Sequence, residues 1–182
     1  MSTRNDMKRF RQRTYVFSAI TAVFYAIMVL VTLKELETLS GVAPFDMRPT
    51  GYSYEDAQLL LEALGEAGRR YYLTHQIPLD MVFPAAFALF LTNAFLWCRS
   101  ILTAGRWIGL GIGLSWLAAA ADYLENTGIT AMLVLWPKVP VSLVSLSSVA
   151  SIVKAGATTC AIIIMLIVVG RTVFHARVTK PR

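Results

Sequence analysis

Three polar side chains interrupt a long apolar stretch in the second half of the chain. Asp122, Glu125 and Asn126 lie within the apolar residues 107–136. A charge at the centre of a membrane helix costs roughly 2.5–3.5 kcal/mol on insertion scales, so such groups usually face a partner or a cavity. Residues three and four positions apart share a helical face, so the three side chains are expected to point the same way.

A lysine in the next apolar stretch is the natural partner for these acids. Lys154 lies within residues 143–170, too deep to reach water easily by extending its side chain. A rise of about 1.5 Å per residue places Asp122 about 22 Å from one edge of a bilayer and Lys154 about 16 Å from the other. A tilted last span would bring them together, and the sequence leaves open whether Lys154 pairs with Asp122 or with Glu125.

The charged groups are compatible with three roles. They could pair and so fix a helix bundle, line a site for a polar small molecule or lipid headgroup, or form a proton or cation pathway. A pathway normally has polar residues through its whole depth, and the other half of the span region offers mainly Thr92, Asn93 and Ser115. Ser151 and Lys154 also match the S-x-x-K spacing of some acyl enzymes, but the companion motifs of those enzymes are absent.

Three further residues are weaker candidates for the same site. Asp80 precedes the second apolar segment, where an N-cap is its favoured role and lining the site is the alternative. Arg48 and Tyr52 could fold over the acids as a cover. The competing interpretations are pairing of Arg48 with loop acids and anchoring of Tyr52 at the membrane interface.

Composition indicates that these residues are positioned by membrane helices. The chain has 182 residues, 56% hydrophobic and 15% charged, whereas soluble domains have about 45–50% and about 25%. A helical span needs about 20 apolar residues. The expected spans are residues 15–33, 81–98, 107–127 with an extension to 136 left open, and 143–170. The predicted fold class is all-α, a four-helix transmembrane bundle forming one domain over residues 1–182.

The segment between the first two spans, residues 34–79, is expected to lie outside the membrane. Ser53 and Asp56 have the spacing of a capping box, and apolar residues follow at helical intervals. The pattern predicts one amphipathic helix of about five to six turns that ends before Pro78. Gly109 and Gly113, four residues apart in the third span, predict close helix packing.

Basic residues are concentrated where the cytoplasmic side is expected. They flank the spans at Arg4, Lys8, Arg9, Arg11, Arg13, Arg99, Arg106, Arg171, Arg177, Lys180 and Arg182. The positive-inside rule therefore places both termini in the cytoplasm. Nucleic acid is a poor alternative partner, because no recognition motif accompanies these residues. His75 and His175 fall on opposite sides, so neither a metal nor a cofactor site is expected.

Several short patterns resemble a family of small bacterial four-span membrane proteins. They are F-D-x-R-P-x-G-Y-S at residues 45–53, L-D-x-x-F-P at 79–84 and D-x-x-E-N at 122–126, and Leu64-Gly65, Gly68-Arg69 and Tyr72 match as well. The resemblance implies a four-helix protein of the bacterial inner membrane. It implies no substrate, cofactor or catalytic residue.

The sequence thus predicts a membrane protein that binds a polar small molecule or lipid headgroup in a site open to the outside. The candidate lining is Asp80, Asp122, Glu125, Asn126 and Lys154, with Arg48 and Tyr52 above it. The alternatives are an intramembrane enzyme acting on a lipid or isoprenoid, and a structural subunit of a membrane complex. Membrane lipids are the expected partners, and a membrane-protein partner or a second copy of the chain stays open.

Overall fold

The computed structural model describes residues 4–101 and 105–178, with side chains up to Phe174. Lys180 and Arg182 of the predicted basic tail lie outside the described residues, as do the side chains of His175 and Arg177. The helices are α1 (Arg4–Ile27), α2 (Leu33–Ser40), α3 (Tyr54–Ala63), α4 (Gly65–Tyr71), α5 (Ile77–Arg99), α6 (Gly105–Leu135) and α7 (Val141–Val178). The described part of the chain contains no strand.

Four continuous helical segments are long and apolar enough to cross a membrane, which confirms the predicted all-α class. They are Arg4–Ser40, Gly65–Arg99, Gly105–Leu135 and Val141–Phe174. A π turn at Met28–Thr32 joins α1 to α2, and another at Tyr72–Gln76 joins α4 to α5. The third segment runs straight through to Leu135. This is the longer of the two extents that the sequence left open.

Successive long helices pack side by side. The main contacts join α1 to α5, α5 to α6, and α6 to α7. All four segments also expose large apolar side chains, among them Leu30, Val82, Leu124, Leu146 and Leu166. A helix that is apolar around most of its circumference is typical of a membrane span. These outward side chains are those that lipid would cover.

The bundle interior consists of two apolar clusters with a polar layer between them. The loop-end cluster includes Leu36, Phe45, Leu60, Tyr72, Ile77, Ile129, Met132 and Val144. The far cluster includes Leu91, Phe95, Ile108, Ala161 and Val168. The residues between these clusters along α5, α6 and α7 include Asp80, Asp122 and Lys154. The polar layer is therefore bordered by apolar packing on both sides.

The capping box predicted at the start of α3 is confirmed. The backbone N–H of Asp56 donates to Ser53 Oγ at 3.1 Å, and the N–H of Ser53 donates to Asp56 Oδ2 at 2.9 Å. These two bonds satisfy donors that the first helical turn leaves free. Donation from Ser53 holds the pKa of the Asp56 carboxyl below its usual value. The helix buries Leu60 and Leu61 against the bundle.

The single amphipathic helix predicted up to Pro78 is wrong in its extent. It divides at Gly65, whose φ of +59° is in the left-handed region that glycine adopts readily. From Gly65 the chain continues without interruption into the second membrane segment. Pro78 does not end the helix, which continues from the π turn at Tyr72–Gln76 directly into α5.

The close helix packing predicted at Gly109 and Gly113 is also wrong. A Cβ atom at either position would meet nothing within 4 Å, so both glycines face away from the bundle. The close approach is made by Gly111, where a Cβ would lie 2.2 Å from the Phe95 ring. The repeat of small residues indicates that a helix can be approached closely, but not which of its faces is approached.

Candidate functional site

The three polar residues of α6 share one inward face, as their spacing predicts. Asp122, Glu125 and Asn126 are all buried, and the last two have no exposed surface. Tyr123 and Leu124, between them in sequence, are more exposed. The helical period therefore separates the polar from the lipid-exposed side chains at this level of the bundle.

Lys154 of α7 pairs with both acids. Its Nζ lies 3.3 Å from Asp122 Oδ1 and forms a second ion pair with Glu125 Oε2. Only 19% of the lysine side chain is exposed. Its ammonium thus bridges two carboxylates one helical turn apart, which answers the question that the sequence left open.

Two serines of α7 hold Glu125 from the other side. Ser151 Oγ donates to Glu125 Oε1 at 2.5 Å, and Ser147 Oγ donates to the Glu125 carbonyl at 3.3 Å. The S-x-x-K pair is therefore directed at one carboxylate: Ser151 donates to it and Lys154 ion-pairs with it. The contacts of Ser151 and Lys154 orient the Glu125 side chain, and that of Ser147 holds its backbone.

Tyr52 is buried over the serines and is not an interfacial anchor. Its hydroxyl donates to Ser147 Oγ at 2.8 Å, and its backbone N–H donates to Ser148 Oγ, also at 2.8 Å. Burial raises the pKa of the Tyr52 phenol, and the negative charge of Glu125 adds to the effect. Tyr52 therefore keeps its proton and covers this side of the layer, the position expected for a cover.

Arg48, the other predicted cover residue, points elsewhere. Its Nη1 lies 3.7 Å from Asp56 Oδ1, and its Nε donates to the Ala43 carbonyl at 3.0 Å. The structure thus gives Arg48 the alternative role, pairing with an acid of the loop. Half of the Asp56 side chain is exposed, so this is an ion pair at the surface, which is worth about 0–1 kcal/mol.

Asp46 is a member of the layer that sequence reasoning did not place in the site. It lies in a short 3₁₀ turn, Phe45–Met47, and its carboxylate accepts hydrogen bonds from Tyr72 Oη and, at 3.5 Å, from Gln76 Nε2. The Oε1 of Gln76 in turn accepts from Thr32. The two π turns therefore meet beside the acid and orient it. Its placement among the resemblance residues was the only indication in the sequence.

The N-cap role predicted for Asp80 is wrong, because the helix begins fifteen residues earlier, at Gly65. Asp80 is 2% exposed and lies beside the Asp46 carboxyl, within electrostatic range of Asp122 and Lys154. A π turn adds a residue to one helical turn and so changes the face of all the residues that follow. The turn at Tyr72–Gln76 therefore contributes to the inward direction of Asp80.

The backbone of Asp80 explains one role of Asn126. Pro84 has no N–H, so it cannot donate to the Asp80 carbonyl four residues before it. Asn126 Nδ2 donates to that carbonyl at 3.0 Å. The amide thus replaces a missing helix bond and joins α6 to α5. Its orientation is fixed by this bond, with Oδ1 as the remaining acceptor.

Because the Asn126 amide replaces the N–H that Pro84 lacks, the effects of mutating these two residues on stability should be coupled. Asn126→Ala should cost about 1–3 kcal/mol, because it leaves a buried carbonyl without a donor. The cost should be smaller in a Pro84→Ala background, where residue 84 supplies its own N–H. Unfolding of the four proteins in detergent measures the coupling, with exposed Thr127→Ala as the matched control. Equal costs of Asn126→Ala in both backgrounds would contradict this account.

The polar layer as a whole has more negative than positive groups. Four carboxylates, those of Asp46, Asp80, Asp122 and Glu125, interact with one ammonium, that of Lys154. Within the described residues, Asp80 Oδ2 and Asn126 Oδ1 are buried and accept no hydrogen bond. Buried acceptors are nearly always satisfied in native proteins, so each such exception calls for an explanation.

A metal ion is not supported as that explanation. Among the described side chains, those of residues 4–101 and 105–174, no three of His, Cys, Asp or Glu are arranged to hold one. His75 is exposed and stacks on Tyr71, outside the layer.

Fold and site together define a class of protein, a four-helix bundle of membrane-length helices with a buried polar layer near one end. No family model matches the chain, and neither a curated protein nor a solved structure shows significant similarity to it. Function must therefore be argued from the polar layer itself.

Proposed function

We propose that this protein binds a polar small molecule or a lipid headgroup in the polar layer of its bundle. The observation that carries the proposal is the pair of buried acceptors, Asp80 Oδ2 and Asn126 Oδ1, which accept no hydrogen bond from the described residues. A layer built only to fix the bundle would be expected to satisfy its own members. A bound molecule with donor groups would supply what the layer needs.

The proposed location is the bacterial inner membrane, with both termini in the cytoplasm. The basic residues Arg9, Arg11 and Arg13 of α1 and Arg99 of α5 support it, because they lie at the ends of the helices remote from the loop that carries Asp46. The polar layer would then be open to the outside of the cell, and ligands would enter from that face.

A second candidate function is an intramembrane enzyme acting on a lipid or isoprenoid. One observation favours it: the hydroxyl of Ser151 donates a hydrogen bond to the carboxylate of Glu125, the kind of contact that joins a nucleophile to its general base. Incubation with membrane lipid extracts followed by mass spectrometry separates the two functions. A product that requires Ser151 would establish catalysis, whereas a binding protein leaves the lipids unchanged.

Ligand-dependent stability tests the binding function. The probes are ethanolamine, choline and glycerol, each free and as the headgroup of a short-chain phospholipid added to the full chain in detergent. At least one probe should raise the unfolding temperature of the wild type, since a ligand at a hundredfold excess over its Kd adds about 2.7 kcal/mol of stability. The rise should be lost in Asp80→Asn.

Glu66→Gln is the matched control, because Glu66 is an exposed acid of α4 outside the polar layer. It should retain the full ligand response. If no probe stabilises the wild type, or if Asp80→Asn responds as the wild type does, the layer is not a site for these molecules. In that case the structural role of the layer becomes the better account.

A further inference from the structure

We infer that the group bound in the polar layer is a primary ammonium, held between Asp46, Asp80 and Asn126. The inference rests on the proposed binding function and names its ligand class. The group would come either from a free amine or from the amine of a lipid headgroup.

The negative charge of Asp46 and Asp80 favours binding of a cation on their side of the polar layer. Lys154 is ion-paired with Asp122 and Glu125, while Arg48 is turned away to Asp56. The groups that donate hydrogen bonds to Asp46 are the neutral side chains of Tyr72 and Gln76, and the carboxyl of Asp80 lies beside it. Two neighbouring carboxylates without a cation of their own repel an anionic ligand and attract a positive one.

The unused acceptors favour a cation with several N–H donors. Asp80 Oδ2 and Asn126 Oδ1 are both buried and without a donor among the described residues. Asn126 cannot turn its amide to help, because Nδ2 is bonded to the Asp80 carbonyl. A primary ammonium has three donors and could serve both oxygens and the Asp46 carboxylate. A quaternary ammonium has none and is recognised by aromatic rings instead.

The layer already contains a group of this kind. The Lys154 ammonium lies between Asp122 and Glu125, so a pair of inward carboxylates from neighbouring positions holds one –NH₃⁺ inside the bundle. Asp46 and Asp80 form a second such pair, contributed by the loop and by α5. None of the ion pairs of the described residues involves either of these two acids. A ligand amine placed there would repeat the arrangement that the protein makes with its own lysine.

The proposed side of entry is the loop end. Asp46 is half-buried, whereas Asp80 beneath it is almost fully buried. An amine arriving from this end would therefore meet Asp46 first and exchange water for carboxylate oxygens in two steps. If the amine instead belongs to a lipid headgroup, the headgroup would place it at the depth of Asp46 and Asp80.

The test compares amines that differ only in their N–H donors. Methylammonium and tetramethylammonium are titrated against the full chain in detergent, and ethanolamine and choline phospholipids of equal chain length are titrated in parallel. Methylammonium, the ethanolamine lipid or both should bind at least tenfold more tightly than the methylated counterpart. Asp80→Asn should lose at least tenfold of that affinity, and Glu66→Gln should not.

The two arms identify the source of the amine, and the failures are distinguishable. Response to methylammonium indicates a free amine, and response to the ethanolamine lipid alone indicates a headgroup. Equal or tighter binding of the methylated compounds, or of glycerol probes, overturns the ammonium inference while the binding function stands. If nothing binds, both fail. Because the amine comparison is made on the wild type, it remains decisive even if Asp80→Asn does not fold.

Discussion

Lys154→Met is expected to destabilise the bundle by about 3–5 kcal/mol, the usual cost of removing one partner from a buried ion pair. The substitution retains most of the side-chain volume but leaves Asp122 and Glu125 without their cation. The acids then face one another and Asp80 inside an apolar surrounding, which strongly disfavours their charged forms. Denaturation in mixed detergent, monitored by helical content, measures the effect.

Two comparisons make this result specific. Lys138→Met removes an exposed lysine from the turn between α6 and α7 and should change stability little. Lys154→Met combined with Asp122→Asn and Glu125→Gln should recover much of the loss, because no uncompensated charge remains at the pair. A single Lys154→Met protein as stable as the wild type would show that the ammonium does not hold the acids in place.

Gly128→Ala should destabilise the protein by about 1–3 kcal/mol, the range for an added methyl group in a packed interior. A Cβ at this position would lie 2.6 Å from Ser147 Oγ and 2.7 Å from Ser147 Cβ. To relieve the overlap, α6 and α7 must separate where Ser147 links Tyr52 to Glu125. Thermal unfolding in detergent measures the loss, and the response to the amine probes should fall with it.

Gly113→Ala is the control for this change on the same helix. Nothing lies within 4 Å of a Cβ at Gly113, so alanine should be tolerated or should stabilise by up to about 1 kcal/mol through helix propensity. If both variants lost equal stability, the cause would be the effect of alanine on the helix backbone and not the overlap with Ser147.

The core of the polar layer could be predicted because its residues obey two general rules. Charges are rare in membrane helices, which singles out Asp122, Glu125 and Lys154, and the helical period then places the two acids on one face. The capping box at Ser53 was predictable for a similar reason, since it depends on residues only three apart. Local spacing and the cost of buried charge require no knowledge of the rest of the fold.

The positions of Asp46 and Asp80 in the polar layer depend on tertiary interactions, which cannot be predicted from the spacing of residues along the sequence. Asp46 reaches the layer from an irregular loop, whose path has no period, and it is oriented by Tyr72 and Gln76 from another helix. Asp80 precedes the second apolar segment and follows the helix end predicted at Pro78, a position that is typical of an N-cap. In the structure a π turn carries the helix through that region, and Asn126 replaces the bond that Pro84 removes.

The loop over residues 41–53 supplies both Asp46 and Tyr52. It therefore contributes a carboxylate to the polar layer and also covers it, as a roof. Lifting the roof to admit a molecule would also withdraw one of the carboxylates proposed to hold it. The same loop movement would then control both ligand entry and ligand affinity. With the loop open the affinity for the ligand would be low, and with the loop closed the ligand would exchange slowly. A loosened loop should accordingly speed departure more than arrival.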